Sequence, residues 1–202
     1  MNADFKIDGK TVETDRLLLR PFQPKDLDDL YEYASVAGVG EMAGWKHHES
    51  KDETRKILDM FIREDKVFAV CHKEDRKVIG SLGVENYGRE KALTEFDGYM
   101  GRAIGYVLSK AYWGREIMPE AVRAVIDFLF HEKKLDFLIC AYYLFNNQSK
   151  RVQEKCGFKP YRRLTSKTAM GTEEPSILTL LVNPEKNVTL RFSHPETLIY
   201  KD

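Results

Sequence analysis

Cysteine is scarce in this chain: Cys71, Cys140 and Cys156 are the only three in 202 residues, and their spacing fits no zinc pattern. An odd, unpatterned set of this kind reads as buried thiols in a reducing compartment, which places the protein in the cytoplasm. Long apolar runs are missing too. No stretch is long enough to span a bilayer, and the opening Met1-Asn2-Ala3-Asp4-Phe5-Lys6 has no apolar segment of the kind a signal peptide carries. Neither sign of charge is in excess, with 32 Lys and Arg against 32 Asp and Glu. That argues against a nucleic-acid partner, whose surface usually carries a basic excess. The patterns Gly-x-x-x-x-Gly-Lys-Ser/Thr and Gly-x-Gly-x-x-Gly are both absent, which disfavours the common nucleotide-binding α/β folds. There is no repeat, low-complexity tract or internal linker. The expectation is one cytoplasmic domain with no metal, no nucleic acid and no membrane partner.

The residues that are present suit one sizeable core: 43% are hydrophobic and 32% charged. Arg16 to Phe22 reads as a strand, and Leu27, Leu30, Tyr31 and Ala34 fall at helical spacing over 26–35. Ser50 followed by Glu53 matches a capping box opening a second helix, with Ile57, Leu58, Phe61 and Ile62 inward. The β-rich runs 67–72 and 77–84 flank a polar turn and predict an antiparallel hairpin. Residues 87–98 are polar and read as an exposed connection. A strand over 103–108, a helix over 117–133 and a strand over 137–143 make a βαβ crossover, so these two strands are expected to be parallel. A short helix over 149–155 ends at Gly157. The runs 159–164 and 177–182 predict a closing hairpin with a long polar loop, and 188–192 a further strand or a segment packed on a partner. The fold class is α/β (α+β) with a mixed sheet. One domain covers 1–202, with its core over about 12–183 and an extension over 184–202.

Two units carry the chemistry. Tyr112-Trp113-Gly114-Arg115-Glu116 is a tight turn delivering the chain into a helix that Pro119 confines to a start near residue 117. Such a turn aims backbone N–H groups and a positive helix end at one point, which attracts phosphate. The second unit runs from Asn146-Asn147-Gln148-Ser149 to Cys156-Gly157-Phe158. By themselves Gly114 can be only a turn residue, Trp113 a core aromatic, Asn146 a helix cap and Ser149 an ordinary first-turn residue.

The ordered series Ile104-Gly105-Tyr106-Val107-Leu108, Tyr112-Trp113-Gly114-Arg115, Pro119-Glu120-Ala121, Asn146-x-x-Ser149-x-x-Val152 and Glu154-Lys155-x-Gly157-Phe158 resembles the GNAT superfamily of N-acetyltransferases. Within it, the chain is most similar to the ribosomal-protein N-terminal acetyltransferases, whose pattern also fits Thr14 to Arg20 followed by Asp26. The resemblance spans about 12–183. It implies a mostly antiparallel mixed sheet with a splayed parallel pair, acetyl-CoA as donor and a primary amine as acceptor, on a protein or peptide N-terminus or a small molecule. It implies that backbone groups of Val107, Leu108 and Ser109 pair with the pantetheine arm. The N–H groups of Trp113, Gly114, Arg115, Glu116 and Ile117 would hold the pyrophosphate. Lys110, Arg115, Lys150 and Arg151 would add positive charge. Asn146 would bond the pantetheine and Ser149 assist the departing thiolate.

Three positions depart from the family pattern. Glu116 stands where a second Gly or Ala is usual, and a Glu would be strained there if φ must be positive. Ala103 replaces a common Glu, and Gln153 a common acidic Tyr. The base is therefore open among Glu41, His47, His48, Glu85, Asp97 and ordered water, with His48 suited by its near-neutral titration. The loop 41–48 is the expected acceptor pocket, walled by Trp45. An alternative is a CoA-binding or regulatory protein that keeps the fold without the chemistry; a third is an unrelated nucleotide-binding protein. A homodimer through the C-terminal strands is open to the chain.

Overall fold

Apolar periodicity sets most of the elements. In the computed structural model, which describes residues 1–88 and 93–188, the strands are β1 (Val12–Glu13), β2 (Leu17–Pro21), β3 (Val67–His72), β4 (Lys77–Glu85), β5 (Gly101–Leu108), β6 (Phe137–Tyr143), β7 (Lys159–Lys167) and β8 (Glu173–Val182). The helices are α1 (Leu27–Ala34), α2 (Lys51–Glu64), α3 (Ile117–Asp127) and α4 (Asn147–Lys155). One eight-stranded sheet, in the order β1-β2-β3-β4-β5-β6-β8-β7, carries them in a single α/β domain. Every neighbouring pair is antiparallel except β5 and β6.

That exception positions the site. β5 follows β4 along its length, from Ala103 opposite Glu85 to Leu108 opposite Gly80. With β6 it pairs only at Gly101 to Ala103, opposite Phe137 to Ile139. β6 stays with β8 through Tyr143. Beyond Ala103 the two parallel strands therefore part, and β5 has an unpaired edge. The expected splay is present.

The capping serine behaves as its sequence suggested: Ser50 Oγ accepts from the Glu53 N–H at 3.2 Å. The return contact differs, since Glu53 accepts from the N–H of Glu49 rather than Ser50. α3 starts at Ile117 as expected but stops at Asp127, and a wide π-type turn continues to Glu132. Phe128, Leu129 and Phe130 are all buried, so this turn packs three successive apolar side chains into the core.

Other expectations need correcting. The segment 87–98 is not an exposed connection where it is described: Phe96 is fully buried and stacks 4.2 Å from Phe137. Buried Glu95 accepts from Arg162 at 2.7 Å and from the Tyr161 hydroxyl. Leu93 and Phe96, three residues apart, were the apolar signal within that polar stretch. The closing hairpin has longer strands and a shorter turn than expected, because Thr168 and Thr172 bond each other across residues 168–172. The N-terminal run also packs: Ala3, Phe5 and Ile7 are buried on alternate positions, and the Ala3 N–H donates to Gly101. Cys140 and Cys156 are buried and Cys71 half-buried. The expected strand over 188–192 lies outside the described residues beyond Val188. Among the described residues no helix is long and apolar enough to cross a membrane.

Candidate active site

The unpaired edge of β5 opens into a cleft of about 990 Å³. Its floor comes from β5 and β6, one end from the turn into α3, and its sides from α4, β7 and the loop 39–43.

The end of the cleft at the turn into α3 is built from backbone. Gly114 has φ +76° and Glu116 φ +59°, so the chain turns sharply twice before α3. No side chain caps that helix, and Glu116, Ile117 and Met118 line the cleft. The first N–H groups of a helix have no partner within it. This end therefore presents uncompensated donors and the positive helix pole to the cleft. Glu116 holds the left-handed conformation that costs a non-glycine residue about 1–2 kcal/mol. Its carboxylate pairs with Lys155 Nζ at the end of α4. That lysine, by hydrogen bond and charge, holds the Glu116 carboxyl below the usual range.

The other end of β5 is decided by ladder alternation. The Ser109 N–H donates to Ile79 at 2.8 Å, and Val107 lies opposite Ser81. In an antiparallel ladder that directs the backbone groups of Val107 and Ser109 to β4, and those of Tyr106 and Leu108 away from it. The Leu108 carbonyl accepts from the Trp113 indole at 2.8 Å, which leaves its N–H facing the opening. Val107 still lines the cleft through its side chain; Ser109 does not line it. The exposed Arg115 also lies off the cleft, with its guanidinium 5.4 Å from the Tyr112 ring and its carbonyl accepting from Arg16. Arg151 and Lys155 are the α4 cations that line it.

At the centre lies a network of neutral polar groups. The Tyr106 hydroxyl donates to the Ser149 carbonyl at 3.1 Å and lies 3.1 Å from Ser149 Oγ. Gln153 Nε2 donates to Ser149 Oγ at 3.1 Å and to the Ala141 carbonyl at 3.2 Å. Gln153 Oε1 accepts from Thr179 Oγ1 at 2.7 Å. Gln153 is only 1% exposed. Gln153 donates to Ser149 Oγ, and the single Tyr106 proton goes to the Ser149 carbonyl, so the Ser149 hydroxyl proton can turn to the Tyr106 oxygen or into the cleft. Burial raises the Tyr106 phenol well above its ordinary value, so it is a donor here and not a base.

Asn146 is the N-cap of α4, its Oδ1 accepting from the Ser149 N–H at 3.0 Å. Its Nδ2 donates to Met42 at 2.9 Å. The side chain thus ties the loop 39–43 to α4 at the cleft wall.

The titratable loop residues are corrected by their partners. His48 is buried, its Nδ1 2.9 Å from Thr54 Oγ1, and its N–H donates to Ala34 at 2.9 Å. Burial pushes its pKa below the ordinary value, and it does not line the cleft. It is a pin for the loop and not a catalytic group. Glu41 accepts from Gly38 N–H and His47 Nδ1, each at 2.7 Å. Burial opposes its ionisation, but the bonds from His47 and the local N–H groups outweigh it and hold Glu41 at about 2, too acidic for a base. Glu85, Asp97 and Trp45 lie off the cleft as well, and the loop reaches it through Val39, Met42 and Ala43. The Cys156 thiol is pushed up to about 11 by burial, which removes it as a thiolate nucleophile. Among the described residues no group of His, Cys, Asp or Glu is arranged to hold a metal ion.

The chain is similar to known proteins in sequence and in fold. The family model for the acetyltransferase (GNAT) domain matches residues 16–159. The probable N-acetyltransferase YjcK of Bacillus subtilis is 38% identical over 95 residues, which are 47% of this chain and 49% of that relative. The alignment thus spans about half of that relative's length. A GNAT-family acetyltransferase structure from Bacillus anthracis superposes with a TM-score of 0.74 at 22% identity, covering 87% of this chain and 100% of that one. The ribosomal-protein-S5-alanine acetyltransferase of Vibrio fischeri gives 0.67 at 22% identity, with 87% and 98% covered. At these identities the superpositions show the shared fold, while the family model over 16–159 shows that this chain belongs to the GNAT acetyltransferases.

Proposed function

We propose that this protein transfers an acetyl group from acetyl-CoA to a primary amine by direct attack, in the cytoplasm. The observation that carries the reading is one cleft joining the open β5 edge, the uncapped start of α3 and the Ser149 hydroxyl. Those groups suit the donor: a diphosphate needs clustered N–H donors and cations, and an amide-rich arm needs a free strand edge. Acetyl-CoA supplies the activated acyl group as a thioester. In this reading N–H groups from Gly114 to Ile117 hold the pyrophosphate, with Arg151 adding charge, and the backbone of Tyr106 and Leu108 aligns the pantetheine arm. The Leu108 N–H stabilises the charge that develops on the carbonyl oxygen. Ser149 gives its proton to the departing sulfur and regains one from the attacking amine, relayed through water in the cleft. Asn146 positions both Ser149 and the loop wall.

Isothermal calorimetry with acetyl-CoA and an assay of free thiol release test this directly. Binding at micromolar donor and amine-dependent thiol release are expected. No binding at millimolar donor would end the proposal. Binding without thiol release from any amine would favour the second reading, a CoA-binding protein without chemistry, which the acidic Glu116 in the phosphate turn motivates.

Glu116→Gly refines the donor end. Glycine accepts positive φ without strain, and the change releases Lys155 from its ion pair. With a carboxylate gone from the phosphate turn and a lysine freed, donor Kd should fall about two- to fivefold. Unchanged or weaker binding would show that the loop uses this carboxylate.

A further inference from the structure

Opposite the phosphate turn, the cleft ends in a ring of apolar side chains that the donor reading does not use. Three segments meet there. Asn146 Nδ2 binds Met42, the Ala169 N–H donates to Gly44 at 2.8 Å, and the Leu144 N–H donates to Pro175 at 2.9 Å. Gly44 sits so close to Tyr143 that an added Cβ would lie 2.2 Å from the Tyr143 hydroxyl. Met42, Tyr143 and Leu164 line the inner wall. Outside it, Phe145 stacks on Tyr143 at 5.3 Å. Leu144, Phe145 and Met170 are 47%, 50% and 41% exposed. Half of the six exposed large apolar residues described in the chain are therefore gathered on these segments.

Charge in the cleft points the same way. Among the described lining residues the one carboxylate is Glu116, and Lys155 occupies it. Arg151 and Lys167 also line the cleft, and the nearest carboxylate to Lys167 is Glu173, at 3.9 Å on an exposed side chain. A second ammonium on an acceptor would meet Lys167 and no carboxylate among the lining residues at this end, since Glu174, which acts on the Tyr143 phenol, stands outside the lining. An apolar body would instead cover an aromatic and aliphatic rim that is otherwise left in water.

Resting on the acetyltransfer reading, we infer that the acceptor is an amine carried on an apolar, uncharged body, and not a polyamine or a lysine-rich peptide. The rim formed by Phe145 and Met170 selects it.

The test compares thiol release from acetyl-CoA with matched acceptors: the amidated peptides Ala-Phe-Ala and Ala-Lys-Lys, and spermidine. The expected result is a kcat/KM for Ala-Phe-Ala at least about tenfold above both others, the scale of one buried aromatic side chain. Phe145→Asp should erase most of that preference and leave acetyl-CoA Kd within about twofold, since Phe145 does not line the cleft. Met170→Asp gives a second readout should the first variant fold poorly. Equal rates, a preference for either cationic acceptor, or no turnover of any of the three by protein that binds acetyl-CoA would overturn the inference. Failure to bind acetyl-CoA at all would overturn the reading beneath it, and is recognised separately by calorimetry.

Discussion

Ser149→Ala should lower kcat about a hundredfold and change acetyl-CoA Kd less than about threefold. The magnitude is the lower end of what a positioned proton donor contributes. The split between kcat and binding follows from the geometry. Asn146 caps α4 through the Ser149 backbone N–H, not its hydroxyl, so alanine keeps the helix start. The Ser149 hydrogen bonds go to Tyr106, Asn146 and Gln153 and to none of Gly114 to Ile117, where the diphosphate is proposed to lie. Only the hydroxyl that Gln153 and Tyr106 hold in place is lost. Tyr106→Phe should give a smaller loss, about tenfold, because it removes one of the two groups orienting Ser149. Steady-state thiol release across donor concentrations separates kcat from KM, and calorimetry supplies Kd. An unchanged kcat in Ser149→Ala would reduce Ser149 to a first-turn residue without a chemical role.

The second large effect falls on stability. Asp26→Ala should destabilise the fold by about 3 kcal/mol, seen as a lower urea midpoint at constant m and a Tm about 6–12 °C lower. Asp26 is 3% exposed and meets Arg20 with two parallel bonds of 2.7 Å. It also accepts from the Gln23 N–H at 2.8 Å. Removing it leaves a guanidinium largely out of water with no anion, and an N–H without an acceptor. The estimate sits at the low end for buried pairs because the Arg20 side chain remains 15% exposed. Replacing both partners, Arg20→Met with Asp26→Leu, should recover most of the loss, since the cost is the orphaned charge and not the absent attraction. A double variant no more stable than Asp26→Ala would mean the site needs its specific bonds.

How far the sequence reached differs by the kind of signal. α2 was readable from Ser50 and its apolar stripe, α3 from Pro119, and α4 from Asn146 and Gly157, because a cap and a period of 3.6 are local properties. The parallel pair followed from strand, helix, strand. The end of α3 was not readable, since the choice between a regular helix and the wide turn at Phe128 depends on which neighbours accept three successive apolar side chains. Residues 87–98 misled because Glu95 and Phe96 are stabilised by Tyr161, Arg162 and Phe137, all distant in the chain.

The site divides in the same way. The order of the motifs identified a family from sequence, and the turn at Gly114 that it singled out does line the cleft, because backbone turn chemistry is written in a few adjacent residues. The positive φ feared for Glu116 is present, and its partner Lys155 is what the tertiary structure adds. His48 was a reasonable base by type. Packing beside Thr54 and Trp45 made it a loop pin. Gln153 looked like a missing acid until folding set it under Ser149. Amino-acid order determined the fold, the turn into α3 and the candidate serine, through local periodicity and turn geometry. Only the tertiary structure decided which side chains face the cleft and which have their polar groups already occupied, because burial and long-range partners set what each group is free to do.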